Sequence, residues 1–341
     1  MDLPAFGGGA GADDPERDFY RSSFKGRVVV LAAADPGSER ECRAVAAELV
    51  AAGAQVIVVV AGGPGEVEPD PEPDPDTVVD TWRRLRDGDG PVTVTGADVV
   101  STAAGLAAAS RAHKLVVVDA DLVVNGPDGA RRSFVDVGRA GLPARLQNLA
   151  RPLYEGVEGL NVVGAGDLGR ELFTYDGAGT LMTLGAYGEV RRLGFADYGL
   201  VADLLRRGAE LGYLRPRDDP ELESLLPRSL GFFAAGDHPA GVVALAEAPY
   251  RGSGRGELEA LFTISRFHGE GVGRRLVEAL DEVALSHGLR GLFAVTSRPE
   301  AAEFFRSCGY VDVDAGALPA AKWVDYPPER RDRLICFQHD L

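Results

Sequence analysis

The stretch Glu257-Leu258-Glu259-Ala260-Leu261-Phe262-Thr263-Ile264-Ser265-Arg266-Phe267-His268-Gly269-Glu270-Gly271-Val272-Gly273-Arg274-Arg275-Leu276 decides the fold of the C-terminal half. Its first eight residues alternate in the period of a β-strand. Glycine then occupies 269, 271 and 273, and a helical pattern starts at once. Val272, Leu276, Leu280 and Val283 share one helix face, with Arg274, Arg275, Glu278 and Glu282 elsewhere. Glycine is required where backbone takes a positive φ or closely approaches a ligand. Free N–H groups at a helix start, aided by the helix dipole, form a seat for an anion such as a diphosphate. An ordinary strand-to-helix turn can show the same spacing, so the pattern alone leaves both readings open.

The flanking elements narrow the choice. Strands are expected at Val190–Leu193, Ser229–Ala234 and Gly241–Ala248, with helical stretches at Phe195–Leu211 and Pro220–Leu226. After the long helix come a strand at Leu292–Thr296, a helix at Glu300–Ser307 and two closing strands. A dinucleotide-binding βαβ unit is excluded by this order, because the turn follows several antiparallel strands. With His268, Gly271 and Gly273 in the key places, the turn resembles the (Q/R)xxGx(G/A) signature of GNAT acetyltransferases. Ala302-Glu303-Phe304-Phe305-Arg306-Ser307-Cys308-Gly309-Tyr310 is similar to that family's "FY…GF" ending. His268 departs from the family's Arg or Gln.

The resemblance implies an α+β acetyltransferase domain that uses acetyl-CoA. Its diphosphate would lie on His268, Gly269, Glu270, Gly271, Val272, Gly273 and Arg274. Its pantetheine arm would pass between the splayed strands Glu257–Ile264 and Leu292–Thr296, with backbone amides near Phe262, Thr263 and Ile264 polarising the thioester carbonyl. The attacking amine must lose a proton, and Glu257 and Glu259 are the candidate bases. Both could equally be solvated edge carboxylates. The tyrosine that often protonates the thiolate is matched by Phe305, which leaves Ser297, or Thr296, as the candidate acid.

Further segments resemble N-acetylglutamate synthases. Gly212-Tyr213-Leu214-Arg215-Pro216-Arg217-Asp218 is similar to their "GxLVxRS". Leu318-Pro319-Ala320-Ala321-Lys322-Trp323-Val324-Asp325-Tyr326, with Arg330 to Leu334, is similar to "LPxxRRxxY…RxSKVL", and Thr296-Ser297-Arg298 to "TTR". The resemblance implies Arg217, Lys322 and Arg330 as ligands for the carboxylates of L-glutamate. A planar guanidinium suits such a dicarboxylate. Asp332 replaces the family's serine. The expected activity is acetyl transfer from acetyl-CoA to the α-amine of L-glutamate, the first step of arginine biosynthesis. A different amino acid or amine, or a regulatory CoA-binding pseudoenzyme, are the alternatives.

The N-terminal half alternates strand and helix from Gly26, which predicts a mainly parallel sheet with helices on both faces. Leu142–Glu155 is expected as one helix. Leu160 to Leu181, containing Glu171-Leu172-Phe173-Thr174-Tyr175-Asp176-Gly177-Ala178-Gly179-Thr180, resembles the "LELFTxDGxGT" end of the amino-acid kinase fold. Phe24 to Val30 resembles its opening strand and Ala61-Gly62-Gly63-Pro64-Gly65 its "HGGGP" loop. Ala32-Ala33-Ala34 supplies no lysine for a transferring phosphate, so a truncated, non-catalytic domain is expected. The resemblance assigns Glu171, Phe173, Gly177 and Gly179 to an allosteric L-arginine site. A residual structural or oligomerisation role is the reading favoured here, and a homo-oligomer is expected. The expected division is a mobile tail over 1–25, a kinase-like domain over 26–185 and a GNAT domain over 186–341.

Composition bounds the remaining classes. A formal charge of −16 in 341 residues argues against nucleic acid or an anionic membrane as partner. No apolar run reaches membrane-span length, and Met1–Ala12 does not read as a signal peptide. Three widely spaced cysteines without a CxxC pair, and five scattered histidines, predict a reduced cytoplasmic protein without a metal site.

Overall fold

The computed structural model describes residues 15–341, except 63–72, 89, 127–128, 139–141, 143, 185–187, 235–237 and 325, and the side chains of 15, 144, 145 and 330. The chain divides into two compact units, Met1–Tyr187 and Gly188–Leu341.

Unit 1 runs α1 (Pro15–Ser23), β1 (Val28–Ala33), α2 (Glu39–Ala51), β2 (Gln55–Ala61), α3 (Pro75–Asp87), β3 (Val92–Gly96), α4 (Val99–Ser110) and β4 (Lys114–Val118). It continues with β5 (Phe134–Asp136), α5 (Ala144–Gln147), α6 (Arg151–Tyr154), β6 (Gly159–Val163), α7 (Leu168–Phe173) and β7 (Thr180–Thr183). The sheet order is β3-β2-β1-β4-β6-β7-β5. The first five strands are parallel, and β7 lies antiparallel to β6. Apolar runs such as Val28–Ala33 fit strands covered on both faces. Val30, Ile57, Val117 and Val162 join α4 in one core, while α2 packs on β1 and β2.

Two expectations change. The tail expected over 1–25 contains helix α1, which buries Tyr20, and the turn after it buries Phe24. Phe24 sits edge-on to Phe173, and the Arg17 guanidinium lies 4.7 Å over the Phe173 ring while bonding both Glu48 oxygens. Residues 1–14 lie outside the described residues, as do Gly63, Pro64 and Gly65 of the expected loop. The single helix expected over Leu142–Glu155 is two short ones, with Pro152 in the first turn of α6. Proline lacks the N–H that would continue a preceding helix.

At the C-terminal ends of β1, β4 and β6 the chain supplies its own anions. Asp35 accepts from the amides of Ala120 and Ala165, and Glu41 from those of Gly166 and Leu168 at 2.7 and 2.9 Å.

Unit 2 runs β8 (Gly188–Arg192), α8 (Tyr198–Glu210), α9 (Asp219–Leu225), β9 (Ser229–Ala234), β10 (His238–Ala246), β11 (Arg255–Thr263) and α10 (Val272–Ser286). It closes with β12 (Gly291–Thr296), α11 (Pro299–Ser307), β13 (Val311–Val313), α12 (Pro328–Arg331) and β14 (Ile335–Asp340). Sheet order is β13-β14-β12-β11-β10-β9-β8. All pairings are antiparallel except β11 with β12. That parallel pair holds register only over Arg255–Gly291, Gly256–Leu292 and Glu257–Phe293. Beyond Glu257 the two strands part, β11 staying with β10 and β12 with β14. The sheet therefore opens a wedge whose apex is Glu257. Within β11 one extra residue breaks the register with β10, and Ala260 there takes φ +55°. Such bulges bend a strand and re-aim its side chains.

Candidate active site

The glycine turn lies at the wide end of the wedge. Ser265–Phe267 forms a single 3₁₀ turn that buries Arg266 and Phe267. Gly269 and Gly271 then both take φ +82°, a region where an L side chain is strained, and α10 starts at Val272. The amides of His268 and Glu270 are consumed inside the turn by the carbonyls of Ser265 and Phe267. Those of Gly269, Gly271, Val272, Gly273 and Arg274 have no partner among the described residues. A Cβ added at Gly269 or Gly271 would meet open space. The result is an open row of donors at a positive helix end, suited to a diphosphate.

The side chains expected around this row do other work. His268 Nε2 lies 3.1 Å from the Thr263 carbonyl oxygen, so the imidazole straps the turn to β11. Arg274 donates to the Ser307 carbonyl at 2.7 Å and ties α10 to the end of α11. Of the amides expected to face a thioester, that of Ile264 is corrected: it bonds the Ala240 carbonyl at 2.9 Å, because β11 keeps pairing with β10 to its end. The Phe262 side chain is buried and Thr263 half-buried.

Next to the apex a cavity of about 580 Å³ opens, lined by polar side chains from four segments. Both candidate bases border it. Glu257, 6% exposed, accepts from Lys322 Nζ at 2.5 Å through one oxygen and from the Tyr250 hydroxyl at 2.6 Å through the other. Glu259 bonds Arg228 through one oxygen and Arg217 Nη2, at 3.4 Å, through the other. Arg215 pairs with Glu221 on the same wall, and Tyr326 completes it. Both glutamates are thus internally paired, not solvated edge groups. Burial raises the Tyr250 phenol well above the ordinary tyrosine range, and the Glu257 charge adds to this.

The expected carboxylate ligands are scattered by these pairings. Lys322 is engaged with Glu257. Arg217 is nearly buried and lies beside a separate cavity formed with α8 and α9. The Arg330 side chain lies outside the described residues. Ser297 is exposed at the end of β12 and does not line the cavity. Phe305 is buried against Tyr310 and Phe337, and its ring has no proton to give. Arg228 and Tyr250 lie outside every motif, whereas Arg215 and Tyr326 fall inside the two segments that resemble N-acetylglutamate synthases without having been assigned a role. Burial holds the thiols of Cys42, Cys308 and Cys336 up, Cys42 to about 12, so none is a ready nucleophile. Among the described residues no cluster could hold a metal ion.

In unit 1 the residues assigned to an arginine site serve the chain itself. Glu171, 3% exposed, accepts from the amides of Ala178 and Gly179 at 2.7 Å and from Asn161. Phe173 is buried beneath Arg17.

Residues 200–310, which hold the splayed β11–β12 pair and the donor row, match the family described as Acetyltransferase (GNAT), and the order of elements in unit 2 is similar to that fold. Among individual proteins, the chain is similar to the amino-acid acetyltransferase of Azotobacter vinelandii (strain DJ / ATCC BAA-1303), 32% identical over 171 residues, which are 50% of this chain and 38% of that protein. It is 29% identical over 241 residues to that of Pseudomonas fluorescens (strain Pf0-1), covering 66% and 54% of the two chains. The chain therefore spans about half or less of the curated relatives it matches. The structure of N-acetylglutamate synthase from Neisseria gonorrhoeae, complexed with coenzyme A and L-arginine, superimposes with a TM-score of 0.60 at 18% identity. It covers 96% of this chain and 98% of its own, a likeness of fold that extends through both units.

Proposed function

We propose that unit 2 transfers an acetyl group from acetyl-CoA to the α-amine of an acidic amino acid, L-glutamate in the first instance. The carrying observation is the continuity of three features: the donor row at Gly269–Arg274, the wedge, and the charged cavity at its apex. The row holds the diphosphate, and the wedge takes the extended pantetheine arm in place of the missing β11–β12 pairing. The thioester then ends beside Glu257. The cavity offers guanidinium groups of Arg215 and Arg228 to carboxylates and carboxylates of Glu257 and Glu259 to an ammonium. A zwitterion with an extra negative charge answers that lining better than a polyamine, which would bring only further cations to a wall that already holds Arg215, Arg228 and Lys322. The names of the relatives support the same reading.

Free-thiol release from acetyl-CoA, measured against a panel of amino acids, tests it. Glutamate is expected to give the highest kcat/KM and a neutral amino acid or a polyamine a far lower one. Turnover with polyamines alone would replace the acceptor, and no turnover with any amine would remove the reading. Added arginine is expected to leave the rate unchanged, because Glu171 and Phe173 are already engaged within unit 1. We further propose that unit 1 serves as a structural or assembly module and that the protein acts in the cytoplasm.

A further inference from the structure

Phe305 has no proton to give, Ser297 is exposed, and Thr296, whose Oγ1 accepts from the Arg298 amide at 3.1 Å, does not line the cavity either, so none of the expected groups stands ready to protonate the departing sulfur. The cavity contains one hydroxyl already wired to a candidate base. We propose that Tyr250 protonates the leaving thiolate and is itself reprotonated by Glu257, so that one relay serves as base and acid. This rests on the acetyl-transfer reading above.

Position is the first support. Tyr250 lies in the turn Ala248–Ser253 between β10 and β11, and its ring packs edge-on to Phe293 at 4.9 Å. Phe293 is the last β12 residue in register with β11, opposite Glu257. Tyr250 and Glu257 thus mark the wedge apex from either side, where a thioester on the pantetheine arm must end. Connectivity is the second. The phenol donates to one Glu257 oxygen at 2.6 Å, while Lys322 fixes the other at 2.5 Å. The carboxylate is thereby fixed in orientation, with one oxygen held against the phenol that it would reprotonate.

The proton count closes. Converting an ammonium to an amide removes two protons from nitrogen. One leaves to solvent before attack. The nitrogen lone pair then forms the C–N bond, and Glu257 takes the second proton from the tetrahedral intermediate, directly or through water. The C–S bond breaks with its electron pair moving to sulfur. Sulfur takes the Tyr250 proton as the phenolic oxygen takes the one on Glu257, restoring the starting state. A buried phenol beside a carboxylate is a poor acid alone. Once Glu257 is neutral that repulsion is gone, and transfer in step means that no phenolate need form.

Tyr250→Phe keeps the ring on Phe293 and removes only the hydroxyl. Its kcat is expected to fall about 100-fold, the usual scale of an acid–base group, with KM for both substrates and calorimetric CoA affinity nearly unchanged. Acetyl thioesters of more acidic thiols should restore much of the loss, since a better leaving group needs no donor. Combining Tyr250→Phe with Glu257→Gln should cost no more than the worse single change, because both cut one relay. The proposal is overturned if Y250F retains near wild-type kcat, if leaving-group acidity rescues nothing, or if the two losses multiply. A wild type that releases no thiol with any amine overturns the acetyl-transfer reading, and this relay with it.

Discussion

Asp281 gives the most quantitative test of the packing in unit 2. It lies on α10 with 19% of its side chain exposed, 3.6 Å from His339 Nε2 on β14, and its Oδ1 has no hydrogen-bond partner. Burial raises its pKa from the ordinary 3.8 to about 6, partly opposed by His339 and reinforced by Glu278. A folded-state pKa above the unfolded one stabilises the fold below 3.8, and that contribution is lost as pH rises through about 6. An acid shifted this far disfavours the ionised folded state by about 3 kcal/mol. Its residual exposure reduces the expected effect to about 1–2 kcal/mol. Asp281→Asn keeps the shape and abolishes the charge. Urea unfolding should therefore show D281N more stable than wild type by that amount at pH 8, with the difference vanishing near pH 4. Equal destabilisation at both pH values would refute the reasoning, since it would mean that Asp281 pays for its burial through His339.

Three further outcomes follow. Gly271→Ala forces an L residue to φ +82° and points a methyl into the donor row; CoA affinity by calorimetry should drop at least tenfold while stability falls by only about 1 kcal/mol. Arg228→Gln frees one oxygen of Glu259, the other staying on Arg217, and removes a guanidinium from the cavity; kcat/KM for glutamate should fall by about 100-fold, the worth of a charge-assisted pair, with CoA affinity unchanged by the same calorimetry. Phe24→Ala empties the seat of α1 on Phe173 and should cost unit 1 about 3 kcal/mol in thermal or urea unfolding, whereas a freely mobile tail would cost nothing.

The glycine turn was legible because its cause is local. Positive φ at 269 and 271 and the onset of an amphipathic helix leave marks within ten residues. Strand Ser229–Ala234 was legible for the same reason. The wedge was not visible in the pattern of β11 and came only by resemblance, since it depends on where β12 stops pairing. The cavity was least legible. Glu257 meets Lys322 across 65 positions and Glu259 meets Arg228 across 31, distances at which no period or motif reports a contact. Two residues marked as ligands, Lys322 and Arg217, therefore became partners of the two marked as bases. Tyr250 sits in a hairpin turn with no signature at all. Helix α1 had a faint signal, Tyr20 and Phe24 at helical spacing, hidden by its charged neighbours.

The carboxylates of Asp35 and Glu41 occupy the strand ends where parallel sheets usually receive their ligands. A visiting phosphate would have to evict a resident that can never diffuse away, competing against millimolar or higher effective concentration. Unit 1 thus carries the counter-charge for these strand ends in its own sequence.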